Sequence, residues 1–390
     1  MKLELPMHHQ TELALPKSIW VKLIAQYQQP DVRTSVWQLF TSFGPFCLLW
    51  GFMVLSLRYS YLFTLALAVP TAGFVIRMFI IQHDCGHGSF FKSRAANDVI
   101  GAIAGVFTFT PYLYWRKSHA IHHAHASNLE ERGIGDVYTM TVHEYMQSSR
   151  WGKLKYRVYR HPLFLFGLAP TLLFLVLNRF PYAASKNWKQ NERASVYWNN
   201  LALGTIAALL SYLIGFQAVL LIELPVIMLA ASVGTWLFYV QHQFENTYWA
   251  KKPEWDYTLA ALQGSSYYRL PKVLQWFTGN IGFHHIHHLS PRVPNYELEE
   301  CYNNSELFQS VEPMTFMKSI RSLHIRLWDA RHYLSLPFDQ RSSGFRWFFS
   351  FLAAFAPYEH AQEPMVILLD EPALGLHARA QRDFLRFINE

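Results

Sequence analysis

Three histidine clusters constrain this chain more than any other feature. They stand at His83-Asp84-Cys85-Gly86-His87, His119-Ala120-Ile121-His122-His123 and His284-His285-Ile286-His287-His288. On a helix, residues at i, i+3 and i+4 share one face. His83 and His87 form an i, i+4 pair, while His119, His122, His123 and His284, His287, His288 repeat the i, i+3, i+4 spacing. Each cluster therefore aims its imidazoles at one point. Eight convergent imidazoles exceed the four positions of a tetrahedral zinc site and suit a pair of metals. Imidazole serves iron, zinc, copper and nickel alike, so ligand type leaves the metal open.

The segments between the clusters are apolar. Hydrophobic residues make up 51% of the 390-residue chain and charged residues only 16%, against about 25% charged in soluble domains. Residues 37–57 and 61–81 are each about as long as a helix must be to cross the hydrocarbon core, with a turn at Arg58-Tyr59-Ser60. A run at 99–110, capped by Asn97-Asp98, is too short to span and belongs in the interface. Residues 115–160 are polar and rich in Lys and Arg, which marks a cytoplasmic side.

Three further apolar stretches follow, at 163–180, 201–221 and 225–240. If all three crossed, the third histidine cluster would lie opposite the first two. A shared site forbids that. Pro162, Pro170 and Pro181 make the first stretch the weakest helix, so it is read as interfacial or re-entrant. The other two form a hairpin turned at Glu223-Leu224-Pro225. The expected fold is an all-α integral membrane protein with four transmembrane helices in two hairpins. A cytoplasmic helical cap holds the histidines, and both termini are cytoplasmic. The chain divides into a cytoplasmic tail at 1–35, a membrane domain at 36–340 and an atypical tail at 341–390.

The net charge of +7 comes from Lys and Arg between apolar blocks, not from an aromatic-interleaved patch, so nucleic acid is not an expected partner. Cys47, Cys85 and Cys301 show no paired spacing, and the polar N-terminus shows no cleavable signal. His242 ends the last span beside the clusters and is a candidate ninth ligand. His125 and His285 fall off the helical spacing and are expected to be bystanders. His143, His161, His324, His332, His360 and His377 stand alone and are expected at the surface. A metal-bound imidazole usually donates its other ring nitrogen to a carboxylate or carbonyl. Asp84, Asp136, Glu245 and Asp256 lie close enough in sequence to serve. Cys85 is read as a small packing residue.

The chain resembles the membrane fatty acid desaturases, from the three histidine boxes and from the segments around them. His83 through Ser89 is similar to the first box of the bacterial delta-12 type. Arg132-Gly133-Ile134-Gly135-Asp136-Val137-Tyr138 and His284 through Tyr296 are similar as well, and the resemblance covers about residues 35–335. It implies a di-iron oxidase held by His83, His87, His119, His122, His123, His284, His287 and His288, with His242 as the ninth ligand. Dioxygen is reduced with two external electrons, and two hydrogens leave adjacent methylenes of an acyl chain to give a cis double bond. The resemblance also implies a multi-pass protein of the bacterial inner membrane acting on oleoyl lipids at delta-12. The chain carries no heme domain or cysteine-rich iron–sulfur motif. A separate donor of the ferredoxin type is therefore expected. Lys153, Lys155, Arg157 and Arg160 suit either an acidic donor or anionic headgroups.

Two alternatives share these features: a related hydroxylase or ketolase, and a histidine-rich metal transporter. The transporter would need ionisable groups along its spans, and no run of them is present. Residues 341–390 depart from the desaturase pattern. Met365-Val366-Ile367-Leu368-Leu369-Asp370-Glu371-Pro372 resembles the Walker B strand of ABC-type ATPases, but no phosphate loop GxxxxGK[ST] exists in the chain. The tail is expected to be an inactive, dispensable fragment.

Overall fold

The structure is a computed structural model and describes residues 17–182, 188–329 and 334–336. Among these residues the chain is mostly helical. Three helices are long and apolar enough to cross a membrane: Val32–Ser56, Tyr61–His87 and Phe216–His242. A fourth candidate is broken, with Arg150–Tyr159 and Phe164–Arg179 meeting at a 58° bend.

The first two helices form the expected hairpin. The Asp31 carboxylate caps Val32–Ser56 by accepting from the Thr34 amide at 3.0 Å, and the Ser60 hydroxyl caps Tyr61–His87. Such caps satisfy donors that a helix start leaves open. The second helix runs beyond residue 81 and carries the first histidine box in its last turns. It stops at Gly88, where φ is +71°, a left-handed conformation that glycine takes without a Cβ penalty.

The second hairpin turns in a different place from the expected one. The break falls at Gly215, with φ +88°, between Gln190–Ile214 and Phe216–His242. Pro225 lies inside the second of these helices instead of in the turn. Its missing N–H would orphan the Leu221 carbonyl. The Tyr61 hydroxyl donates to that carbonyl at 3.2 Å, so the helix continues. Glu223 is helical too and accepts from Trp50 Nε1 at 2.7 Å. Gln190–Ile214 has the length of a span, but it carries Asn199 and Asn200 and is not among the three strongly apolar helices. Asn199 donates to the Gly105 carbonyl and Asn200 to that of Arg179.

Residues 164–179 are irregular, as the prolines suggested. A π-turn at Phe164–Leu168 leads into Ala169–Leu175 and a 3-10 turn at Leu177–Arg179. The short helix is Arg94–Phe107, and Ser93, not Asn97, caps it, accepting from the Ala96 amide at 3.2 Å. Asn97 instead clasps Phe91, accepting from its amide at 3.0 Å and donating to its carbonyl at 2.7 Å. Asp98 pairs with Arg116 at 2.5 Å.

The polar half is not wholly helical. Met140–Thr141 pairs in parallel with Leu327–Asp329, which pairs antiparallel with Leu334–Leu336; Tyr267–Tyr268 pairs in parallel with Pro313–Met314. Trp20 and Ile24, on the Lys17–Ala25 helix, are buried in one apolar cluster with Phe283, Ile286 and Leu289 around the third histidine box. Residues 341–390 lie outside the described residues.

Candidate metal centre

Four helix segments deliver the histidines. His83 and His87 end Tyr61–His87; His119, His122 and His123 sit on Tyr112–His125; His242 ends Phe216–His242; His284, His287 and His288 sit on His284–Leu289. The ring nitrogens of His83, His87, His119, His123 and His287 lie within 4.8 Å of one another, and those of His122, His242 and His288 form a second such group. His284 joins the second group, with its Nε2 at 3.0 Å from Nε2 of His242. The structure thus brings together every histidine singled out as a ligand candidate.

The boxes are split between the two groups in a regular way. In the second box, His119 and His123 go to one group and His122 to the other. In the third, His284 and His288 go to one and His287 to the other. At 3.6 residues per turn, i+4 lies about 40° to one side of i and i+3 about 60° to the other. An HxxHH box therefore keeps its i, i+4 pair together and sends its i+3 member across. Two such boxes facing each other build two adjacent sites.

The nitrogens do not satisfy one another. His122 Nδ1 lies 2.5 Å from Asp136 Oδ1, and His242 Nδ1 lies 3.4 Å from the Gly264 carbonyl. Acceptors at both Nδ1 atoms put the protons there and leave the two Nε2 lone pairs facing each other at 3.1 Å. His123 Nε2 likewise meets Nε2 of His119 at 3.1 Å and of His287 at 3.0 Å. The Nε2 atoms of His87 and His288 are buried with no hydrogen-bond partner among the described residues. Converging lone pairs and orphaned nitrogens are the donor set of a cation, and the residues present fit a pair of metals.

Burial, reinforced by neighbouring imidazoles, holds His119, His123, His284, His287 and His288 well below the usual histidine range. These side chains are therefore neutral at ordinary pH, the form in which an imidazole can bind a metal.

Two of the four candidate carboxylates reach the histidines. Asp136 meets His122, and Asp84 Oδ1 lies 3.1 Å from His83 Nδ1. Gly135, at φ +74°, makes the turn that brings Asp136 in; a Cβ there would stand 3.1 Å from that of His122. Asp256 instead caps Tyr257–Leu262, and Glu245 is exposed. His125 bonds to the Ile121 carbonyl of its own helix at 3.1 Å. His285 is buried beside Tyr267, Tyr302 and Phe308, where burial pushes its pKa down to about 3. His143, His161 and His324 are exposed, and His332, His360 and His377 fall outside the described residues. Cys85 is buried with Ile81, Phe90 and Tyr112, outside both metal groups.

Sequence reasoning missed Asn295, Trp115 and Phe238. The amide and side chain of Asn295 both donate to Asp84 Oδ2, at 2.7 and 2.8 Å. Trp115 stacks flat on His119 at 4.5 Å, and Phe238 lies 5.2 Å from His122 and 5.1 Å from His242. Asn295 falls within the His284–Tyr296 segment on which the resemblance rests, so a signal was present. Among the basic residues, Arg160 is fully buried, donating to the Ile325 carbonyl at 2.9 Å and Gln243 at 3.2 Å, and is closed to a docking partner.

The family model described as fatty acid desaturase matches residues 59–314. A "Fatty acid desaturase" of Bacillus subtilis is 48% identical over 308 residues, covering 79% of this chain and 87% of the relative. An "sn-1 oleoyl-lipid 12-desaturase" of Picosynechococcus sp. is 26% identical over 271 residues, covering 67% and 76%. An "sn-1 acyl-lipid omega-3 desaturase (ferredoxin)" of Synechocystis sp. is 28% identical over 232 residues, covering 57% and 62%. The ATPase-like reading of 341–390 gains no support, since those residues lie beyond both the family match and the described residues. The histidine groups and the match across most of the chain lead to one conclusion: this chain belongs to the fatty acid desaturase family, the oxidoreductases that introduce double bonds into acyl chains.

Proposed function

We propose that this chain is an O2-dependent desaturase that introduces a cis double bond into an acyl chain of a membrane lipid. One iron is held by His83, His87, His119, His123 and His287, and the other by His122, His242, His284 and His288. The single observation that carries the reading is the division of the histidines into two adjacent groups. The iron pair supplies the reduction of dioxygen and the attack on unactivated methylenes, which offer no handle to an acid, base or nucleophile.

The chain's own residues position and shield that pair. Asp136 and Asp84 hold the Nδ1 protons of His122 and His83, so each Nε2 faces a metal. Trp115 and Phe238 put apolar faces against His119 and His122, a surface that suits methylenes and keeps water away.

In the membrane, Val32–Ser56, Tyr61–His87, Gln190–Ile214 and Phe216–His242 are the four spans in two hairpins, with 163–180 re-entrant. This arrangement keeps all three boxes on one face. The basic run at 150–160 makes that face cytoplasmic, in a bacterial inner membrane. Electrons come from a separate ferredoxin-type donor; Lys155 is exposed toward it, while Arg157 donates from Nε to the Tyr145 hydroxyl at 2.7 Å.

The position of the bond is the finest part of the proposal. Resemblance points to delta-12 of oleoyl chains, while the relatives' names divide between 12-desaturases and omega-3 desaturases. A one-methylene shift in an apolar pocket is worth only about 1–3 kcal/mol. Expression in a host lacking polyunsaturated lipids, fed saturated or monounsaturated chains, tests the reading. Loss of two hydrogens from oleoyl chains at carbon 12 is expected. A new bond in stearoyl chains alone would move the position, and gain of oxygen would make the protein a hydroxylase or ketolase.

A further inference from the structure

Arg77 is an ionisable residue within a membrane-spanning helix, six positions before His83. It is 7% exposed and forms no ion pair among the described residues. Neutral groups hold it: Nε donates to Ser42 Oγ at 3.1 Å, Nη1 donates to the Trp276 carbonyl, and the guanidinium lies 3.8 Å above the Trp276 ring. A buried cation without an anion is costly, and one inside a membrane protein usually marks a functional site.

Arg77 lines a cavity of about 430 Å³ together with Gln38, Lys272, Gln275 and Asn295. Lys272 is paired with Glu299, which leaves the Arg77 charge uncompensated there. Gln275, itself 7% exposed, has a buried amide nitrogen with no partner among the described residues. The cavity also takes in Trp37 and Trp276, which are exposed, as are Val273 and Leu274 next to them in sequence. Exposed tryptophans beside a cationic cavity are the pattern of the headgroup level of a bilayer. The cavity is also close to the metal groups. Arg77 and His83 are about 9 Å apart along the helix axis. Asn295 joins the cavity wall to Asp84, which meets His83.

We infer that this cavity receives the phosphate of a phospholipid, so that the substrate is a phospholipid in preference to a neutral lipid. The inference rests on the acyl-lipid reading above and names the headgroup that reading leaves open. Guanidinium and phosphate form strong charge-assisted hydrogen bonds, and a phosphate anchored here holds its own acyl chains beside the irons.

The test uses the purified full-length protein with dioleoyl-phosphatidylglycerol and dioleoylglycerol, each presented in galactolipid bilayers. Lipid retention is measured by native mass spectrometry, and turnover is measured separately with a reduced donor. Wild type should retain phosphatidylglycerol over diacylglycerol. Arg77→Gln should weaken that retention and raise the phosphatidylglycerol KM about tenfold, with the effect on KM and not kcat. Thr41→Glu keeps Arg77 but adds an anion to the cavity wall, and it should act in the same direction. It also guards against misfolding of the first variant. Retention unaltered in both variants overturns the inference, as does displacement of the lipid by inorganic phosphate, which would make this a free-anion site. Arg77-dependent retention with neither lipid desaturated would sink the acyl-lipid reading and leave the headgroup site standing. Equal KM for both lipids, unchanged by Arg77→Gln, would do the reverse.

Discussion

Asp136 Oδ1 lies 2.5 Å from His122 Nδ1 and thereby decides that Nε2 faces the second histidine group. Asp136→Asn is expected to lower metal affinity or turnover about 10–100-fold, read as iron content and activity under limiting iron. Glu245→Gln, at an exposed carboxylate, should change neither. The histidines also set a pH dependence. His119, His123, His284, His287 and His288 titrate well below their unfolded value of 6.5. Between the two values the unfolded chain binds more protons than the folded one, so stability falls as pH falls. The metal-free protein should therefore keep its full stability above about pH 6.5 and lose it progressively below. A thermal midpoint in metal-free protein that is flat from about pH 7 to about pH 5 would contradict this. At this scale the convergence of the histidines was legible because HxxHH spacing is periodic. Asn295 carried a signal only through the resemblance segment that contains it, because a neutral amide in a loop has no periodic pattern of its own, although it makes two bonds to Asp84.

Phe216–His242 runs through Pro225 because another helix supplies the missing donor. Tyr61→Phe removes that donor and is expected to cost about 0.5–1.5 kcal/mol. In a Pro225→Leu background the restored N–H makes the hydroxyl redundant, so the same change should cost less. Thermal unfolding of the four proteins in one detergent measures the coupling, and strictly additive costs would rule this account out. The turn was misplaced for the same reason. Glu223-Leu224-Pro225 reads locally as a breaker, and only the fold shows Trp50 and Tyr61 satisfying Glu223 and Leu221. Gly215 is a lone glycine in sequence, and its positive φ is visible only in three dimensions. The Ser93 cap was missed similarly, since Asn97 looks like a cap until it is found clasping Phe91.

For the whole molecule, the apolar block lengths anticipated the three helices long enough to cross, Val32–Ser56, Tyr61–His87 and Phe216–His242, while the choice of the fourth crossing rests on the parity argument that clusters sharing a site must share a face. Neither could reveal the short strand pairs at Met140–Thr141 and Leu327–Asp329, where so few residues carry no alternation to read. Those strands bear on the tail. A chain ending at Gln340 keeps Leu327–Asp329 and Leu334–Leu336 and is expected to insert, bind iron and desaturate. Loss of product at normal membrane expression would show that 341–390 is part of the enzyme. The central claim is that two facing HxxHH boxes build two metal sites from the two histidine groups. Metal analysis of the purified protein, with Mössbauer spectroscopy, tests it most directly. The account predicts two iron atoms per chain, falling in both His83→Ala and His122→Ala, one variant from each group. A single metal per wild-type chain, or iron unchanged in both variants, would contradict it.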